Sequence, residues 1–293
     1  MPKQLSEEYT KGAYRRFFDI PYCENAVEEQ VLDLWLPEKD TEKPLPVILY
    51  FHGGGFSRGA KREDQSEPVI RAVNQGYAVA DVEYRKSGTE VFPAMLYDAK
   101  AAVRFLRAHA EKYHLDPDRI AVWGASAGGW ISGMMAVTGG NPAFEDLAMG
   151  NSNVSGDVQA VVDWCGPCGD FYRMDSDFLE TPHLNPTENH SDDSSAESVF
   201  LGAPVYRSSA LCRMAAPVTY ANPDVPPVLI VHGAEDRTVP VAQSRRFAGA
   251  LKESGAGDVE LHILPDFPHH SRVWNTSEEV CSVTMDFLNR VLK

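Results

Sequence analysis

The sequence predicts an α/β fold, with a mostly parallel central sheet and helices on both faces. Three observations carry that reading. Short apolar runs alternate with longer amphipathic ones along most of the chain, as expected of strands joined by crossover helices. The clearest run, Val47-Ile48-Leu49-Tyr50-Phe51, is apolar without interruption, as in a strand buried on both faces. The residues with chemical potential follow directly after such runs, where open α/β sheets place their sites.

Taken in order, Gln30–Leu36 alternates and reads as a strand, and the proline-containing loop Pro37–Pro46 separates it from Val47–Phe51. Glu67–Gln75 reads as a helix stopped at Gly76, and Tyr77–Glu83 as a strand. Pro93 opens a long helix to about Tyr113, with Leu96, Ala99, Val103 and Leu106 on one face. Ile120–Trp123 is a short strand, Ala127–Val137 a helix and Val158–Asp163 a strand. Further strands fall at Val228–Val231 and Val259–Leu264, with a helix at Val241–Glu253 between them. The last helix opens on Thr276-Ser277-Glu278-Glu279, which fits a capping box, and runs to Val291. Gly139–Pro227 breaks the alternation, with one clear strand among many Asn, Asp, Ser and Pro residues. A stretch of that length inside a domain is usually functional, so it reads as an insertion over the active-site face of a single domain spanning residues 1–293.

Composition narrows the function. With 27 Lys+Arg against 42 Asp+Glu the net charge is −15, which argues against a nucleic-acid surface and against a polybasic membrane patch. Hydrophobic residues at 43% and charged residues at 24% fit a globular chain. No apolar run approaches the roughly 20 residues that span a bilayer, and Met1–Glu8 lacks the apolar core of a leader. The five cysteines, an odd count, suit free thiols in a reducing compartment. The expected location is therefore cytoplasmic.

Gly124-Ala125-Ser126-Ala127-Gly128 stands between a strand run and a helix run. That is the setting of a nucleophile elbow, in which small flanking residues allow a sharp turn and Ser126 meets the amino end of a helix. Alone, the pattern is also satisfied by a glycine-rich turn with an inert serine. His52-Gly53-Gly54-Gly55-Phe56 follows another strand run; such a loop can present backbone N–H groups to an oxyanion, with Ala127 after the nucleophile as a further donor. A serine needs a base, and the base a carboxylate to orient it. Two loops supply candidates in the order Ser, acid, His: Glu235 or Asp236 after Val228–Val231, and His269 or His270 after Val259–Leu264. Phe56, Trp164 and Phe171 are candidates for an acyl or aryl pocket.

On these segments, together with Leu32–Pro37, Tyr84-Arg85 and Asp98–Val103, the chain resembles the α/β-hydrolase esterases with a His-Gly-Gly-Gly loop. These are the hormone-sensitive-lipase-like carboxylesterases, and the nearest branch holds bacterial acetylxylan and feruloyl esterases. The resemblance implies Ser126, Asp236 and His269 as the catalytic triad. It also implies Gly54 and Gly55 as oxyanion donors and His52 as a loop-stabilising residue. Around the histidine the chain departs from the family's small residues, reading Asp266-Phe267-Pro268, with His270 where a glycine is usual. The function implied is hydrolysis of short-chain acyl esters through an acyl-serine, acetyl and feruloyl esters of carbohydrates among them, with no metal or cofactor. A peptidase or arylformamidase would use the same triad. Trp164-Cys165-Gly166-Pro167-Cys168 matches a thioredoxin active-site run, so a thiol–disulfide oxidoreductase through Cys165 and Cys168 is the alternative from another class.

Overall fold

The computed structural model describes residues 4–5, 14–39 and 41–293. Eight strands form one sheet: β1 (Tyr14–Pro21), β2 (Val31–Pro37), β3 (Leu45–Phe51), β4 (Ala78–Val82), β5 (Leu115–Ala125), β6 (Ala160–Trp164), β7 (Val228–Gly233) and β8 (Val259–Leu264). Their spatial order is β1-β2-β4-β3-β5-β6-β7-β8. The first two pairings are antiparallel and all from β4–β3 onward are parallel. The main helices are α1 (Ala94–Ala108), α2 (Ala127–Val137), α3 (Ala196–Leu201), α4 (Ala242–Glu253) and α5 (Glu278–Leu292). This is the α/β-hydrolase fold. No helix among the described residues is long and apolar enough to cross a membrane.

Burial follows strand position. All residues of β3, β4, β6 and β7 are buried, because helices cover both faces of a parallel sheet. Successive side chains of β3 enter opposite cores. Val47, Leu49 and Phe51 pack with α1, α2 and Phe247 of α4, while Ile48 and Tyr50 pack with Val280, Phe287 and Leu288 of α5. Each such fully buried side chain contributes about 1.5–3 kcal/mol of hydrophobic stabilisation. On β2 the polar member of the alternating pattern is buried too. Asp33 is fully inaccessible and lies 3.0 Å from Lys61 and 2.8 Å from Arg62.

Three elements differ from the sequence reading. The helix expected to run to Tyr113 breaks at His109 and resumes as the short turn Ala110–Tyr113. Glu67–Gln75 is part of a mixed 3-10 and α stretch from Asp64, stopped as expected by Gly76 at φ +82°. The last helix is capped by Ser277, whose side chain accepts from Val280 N–H, rather than by Thr276. The sequence reading missed β1 altogether. It is an edge strand with four exposed residues and a register shift between Phe17 and Ile20, so it has no clean apolar period.

The 139–227 stretch is not one excursion over the site. Before β6 it packs at the side of the sheet, where Glu145 pairs with Lys100 and Arg104 of α1. Only the part after β6, through Pro167, Glu188, Ala196 and Glu197, reaches the cleft that holds Ser126.

Candidate active site

Ser126 stands at the end of β5 with φ +57° and ψ −119°, a region L-residues rarely adopt. The turn is forced by close backbone approach on both sides. A Cβ on Gly124 would lie 2.1 Å from the Gly128 carbonyl oxygen, and one on Gly128 would lie 1.9 Å from the Phe51 carbonyl oxygen. No residue but glycine fits either position. Ser126 N–H donates to the Trp164 carbonyl at 2.8 Å, tying the elbow to β6, and α2 begins at the next residue.

Two further loops meet at the serine. His269 Nε2 is 2.9 Å from Ser126 Oγ, and its Nδ1 is 2.6 Å from Asp236 Oδ2. Asp236 Oδ1 accepts from Thr238 N–H and Val239 N–H, each at 2.8 Å, which fixes the carboxylate's rotation. The acid and histidine loops hold each other: Glu235 N–H donates to Phe267 O at 3.0 Å, and Gly233 packs so tightly that a Cβ there would meet that same oxygen at 2.1 Å.

The electrostatics follow from burial and pairing. Burial alone would raise the Asp236 pKa, but His269 and His232 beside it hold the carboxyl well below its ordinary value. Burial disfavours the His269 imidazolium, and the facing Asp236 outweighs it, so His269 sits above its ordinary value. A group whose proton affinity is raised by an ionised partner is suited to act as a base.

The alternatives left open by the sequence lie elsewhere. His270 Nε2 is 2.9 Å from Asn275 Oδ1, its ring lies against Trp164 and Trp274, and burial pushes its pKa down to about 4. Glu235 faces away, 3.3 Å from His183. His52 is fully buried behind the glycine loop, stacked on Tyr84 with centroids 4.5 Å apart and 3.2 Å from Glu83. It anchors the loop, and both ring nitrogens are engaged away from Ser126, Nδ1 at Gly53 O and Nε2 at Glu83.

Gly54, Gly55 and Ala127 line the cleft together with Ser126 and His269. Gly53 N–H donates to Gln65 Oε1 at 3.0 Å, and Gly54 and Gly55 are both at positive φ. Phe56 also lines the cleft, which measures about 340 Å³, and stacks on Phe200 at 4.1 Å. Trp164 does not line it, contrary to expectation. Its ring turns to the other face of the sheet, fully buried against Trp123 and Trp274, with Nε1 donating to Thr284 Oγ1 at 3.1 Å. As the last residue of β6 it falls on the opposite side of the pleat. A larger groove of about 1060 Å³ beside β1 and β2 contains no member of the Ser126 site.

The thioredoxin-like run lacks the setting its chemistry needs. Cys165 and Cys168 are buried free thiols, and burial raises the pKa of both, the reverse of a reactive cysteine. Helical structure resumes only at Phe171. Cys168 Sγ–H instead points at the Gly129 carbonyl at 3.6 Å. Among the described residues, the one group of metal-ligand type is Cys165, Asp236 and His269, and the acid and imidazole in it already bond each other and Ser126.

Three supporting residues had no signal in the sequence. His232 is buried with Nδ1 2.7 Å from Ser244 Oγ and Nε2 3.2 Å from Asp236. The buried pair His190 and Glu197 lies within the stretch read only as polar.

Comparison with known proteins agrees with this architecture. The BD-FAE family model matches residues 32–251. The esterase LipQ of Mycobacterium tuberculosis is 28% identical over 97% of this chain and 65% of its own length. The probable carboxylic ester hydrolase LipM of the same organism is 31% identical over 86% of this chain and 55% of its own. The chain thus spans about 65% or less of these relatives. Among solved structures, a truncated carbohydrate esterase from gut microbiota superposes with a TM-score of 0.86 at 24% identity, over 98% of this chain and 99% of that one. The acetyl ester-xyloside bifunctional hydrolase of Caldicellulosiruptor lactoaceticus gives 0.72 at 25% identity, over 93% and 96%. With the family model covering most of its length, from β2 into α4, the chain belongs to the BD-FAE family of α/β-hydrolases.

Proposed function

We propose that the chain, folded as one domain, hydrolyses short-chain acyl esters through an acyl-enzyme on Ser126, with esters of carbohydrates as the substrate class. The observation that carries the reading is the continuous bonded line from Asp236 through His269 to Ser126, with 2.6 and 2.9 Å contacts. Ser126 Oγ attacks the ester carbonyl as its proton passes to His269 Nε2. Asp236 accepts the Nδ1–H bond and stabilises the imidazolium. The tetrahedral oxygen is held by N–H groups of Gly54, Gly55 and Ala127; one such donor is worth about 10²–10³ in kcat in another serine hydrolase. The carbonyl re-forms as the alcohol leaves with the proton from His269. Water then gives its proton to His269, attacks the acyl carbon, and releases the acid and free Ser126.

Two observations support the substrate class. The cleft is small, about 340 Å³, and polar groups such as Arg58, Gln65, Glu188, Glu197 and Arg272 share its lining with Phe56. That suits a short acyl group and a hydroxylated alcohol better than a long chain. Two structural relatives carry the words carbohydrate esterase and acetyl ester-xyloside hydrolase in their descriptions. The names of LipQ and LipM favour an ester over the peptide or formamide bond that the same triad could cleave.

The test is turnover of p-nitrophenyl acetate, butyrate and octanoate by the wild type and Ser126→Ala. The reading expects turnover that falls with chain length and drops by roughly 10⁶ in the variant. Equal turnover by both proteins would overturn the mechanism. A preference for octanoate would overturn the short-acyl assignment.

A further inference from the structure

Glu197 is a charged residue in a place that ordinarily excludes one. It lines the cleft of Ser126 yet is only 4% exposed. It sits in the first turn of α3, and that helix is locked to the glycine loop at two points. The Ala196 Cβ lies 3.3 Å from where a Cβ on Gly55 would be, and Phe200 stacks on Phe56. The carboxylate is therefore held at a fixed place beside the residues that line the reacting centre.

Its protein partner uses only part of what a carboxylate offers. Oε2 lies 3.1 Å from Nδ1 of His190, itself buried and stacked on Phe178. The two groups lie within ion-pair distance without hydrogen-bond alignment. Neither Glu197 Oε2 nor either His190 ring nitrogen has a hydrogen-bond partner among the described residues. An ionised carboxylate has about four lone-pair sites and accepts only, so buried acceptor capacity is left over in a cleft where a substrate docks. A buried charge with unmet capacity is costly unless something that enters the cleft meets it. A plain alkyl ester brings no donor. A sugar ester brings hydroxyls next to the ester oxygen.

We propose that Glu197 selects alcohol portions that carry a free hydroxyl beside the ester, by accepting a hydrogen bond from that hydroxyl. The inference rests on the carbohydrate-ester reading above and assigns it a residue. His190 is the positioning residue behind it. Burial opposes the imidazolium there, and Glu197, with Glu188 and Asp175 beyond, more than compensates, raising its pKa. A hydrogen bond accepted by a carboxylate is roughly twice as strong as a neutral one.

The experiment compares methyl 2-O-acetyl-β-xyloside with cyclohexyl acetate, a six-membered ring ester without hydroxyls. The readout is the ratio of their kcat/KM values, from which any loss of folded protein cancels. Wild type is expected to favour the xyloside. Glu197→Leu is expected to lower the ratio by about 10- to 100-fold, as befits a hydrogen bond to a charged group. Glu197→Gln, nearly isosteric and still an acceptor but uncharged, is expected to fall between. If wild type favours the xyloside and both variants keep the ratio, the role of Glu197 is overturned and the carbohydrate reading stands. If wild type shows no preference, both are overturned.

Discussion

Replacing Asp236 by Asn tests whether the acid works by fixing the histidine's tautomer. The outcome can be worked from the hydrogen bonds. Oδ1 accepts two backbone N–H groups at 2.8 Å, from Thr238 and Val239. An Asn amide would keep its carbonyl oxygen there, because turning it over would set an NH2 against two N–H donors at a cost of several kcal/mol. The NH2 must then occupy the Oδ2 position, 2.6 Å from His269 Nδ1. It can donate only to an unprotonated Nδ1, so the ring moves its proton to Nε2 and presents N–H to Ser126. The base is then protonated on the wrong side. In another serine hydrolase the same swap cost about 10⁴ in kcat, or roughly 5.5 kcal/mol in the barrier. The assay is kcat and KM on p-nitrophenyl acetate, with a melting curve for each protein. The expected result is a loss of about 10⁴ in kcat. The melting temperature should fall by roughly 2–8 °C, since a 1–2 kcal/mol loss shifts it by roughly 2–4 °C per kcal/mol in a large domain. An Asn variant that keeps more than about a tenth of wild-type kcat would refute the tautomer argument.

Other outcomes follow from the same geometry. Gly128→Ala puts a methyl 1.9 Å from the Phe51 carbonyl, so it should lose more than about 4 kcal/mol of stability or fail to fold; chemical denaturation measures this, and a loss below 1 kcal/mol would contradict the packing. Activity needs neutral His269, whose pKa lies above the ordinary 6.5. The rate should therefore fall with acid from a midpoint above 6.5, and a kcat/KM profile with its acid limb centred below pH 6 would contradict the pairing with Asp236. The five cysteines are free, so thiol titration of denatured protein should give five whether it was kept in air or in reductant; a joint loss of two would revive the Cys165–Cys168 pair.

The parts of the fold legible in the sequence were those set by burial on both sides. β3 shows as an unbroken apolar run because both of its faces are covered. β1 stayed hidden because its register shifts and its residues face water. Ser126 was legible through its glycines, since a turn this sharp excludes any side chain at 124 and 128. Choosing Asp236 over Glu235 and His269 over His270 needed family resemblance. Adjacent residues of one loop share a local sequence, and only the chain's path decides which faces the serine. Trp164 was misjudged for a related reason: nearness in sequence to a cleft does not fix the side of the sheet a ring occupies. The Glu197–His190 pair was out of reach, because two polar residues seven apart in a polar stretch look solvated until the fold buries them.

The central claim is that Ser126 carries the acyl group. Intact-protein and peptide mass spectrometry after brief exposure to p-nitrophenyl acetate at low pH, where deacylation by His269 is slowed, tests it directly. One acetyl group on the peptide that contains Ser126, absent in Ser126→Ala, is the result expected. Turnover with acetylation at another residue, or with none when the quenched reaction shows a burst of p-nitrophenol, would contradict it.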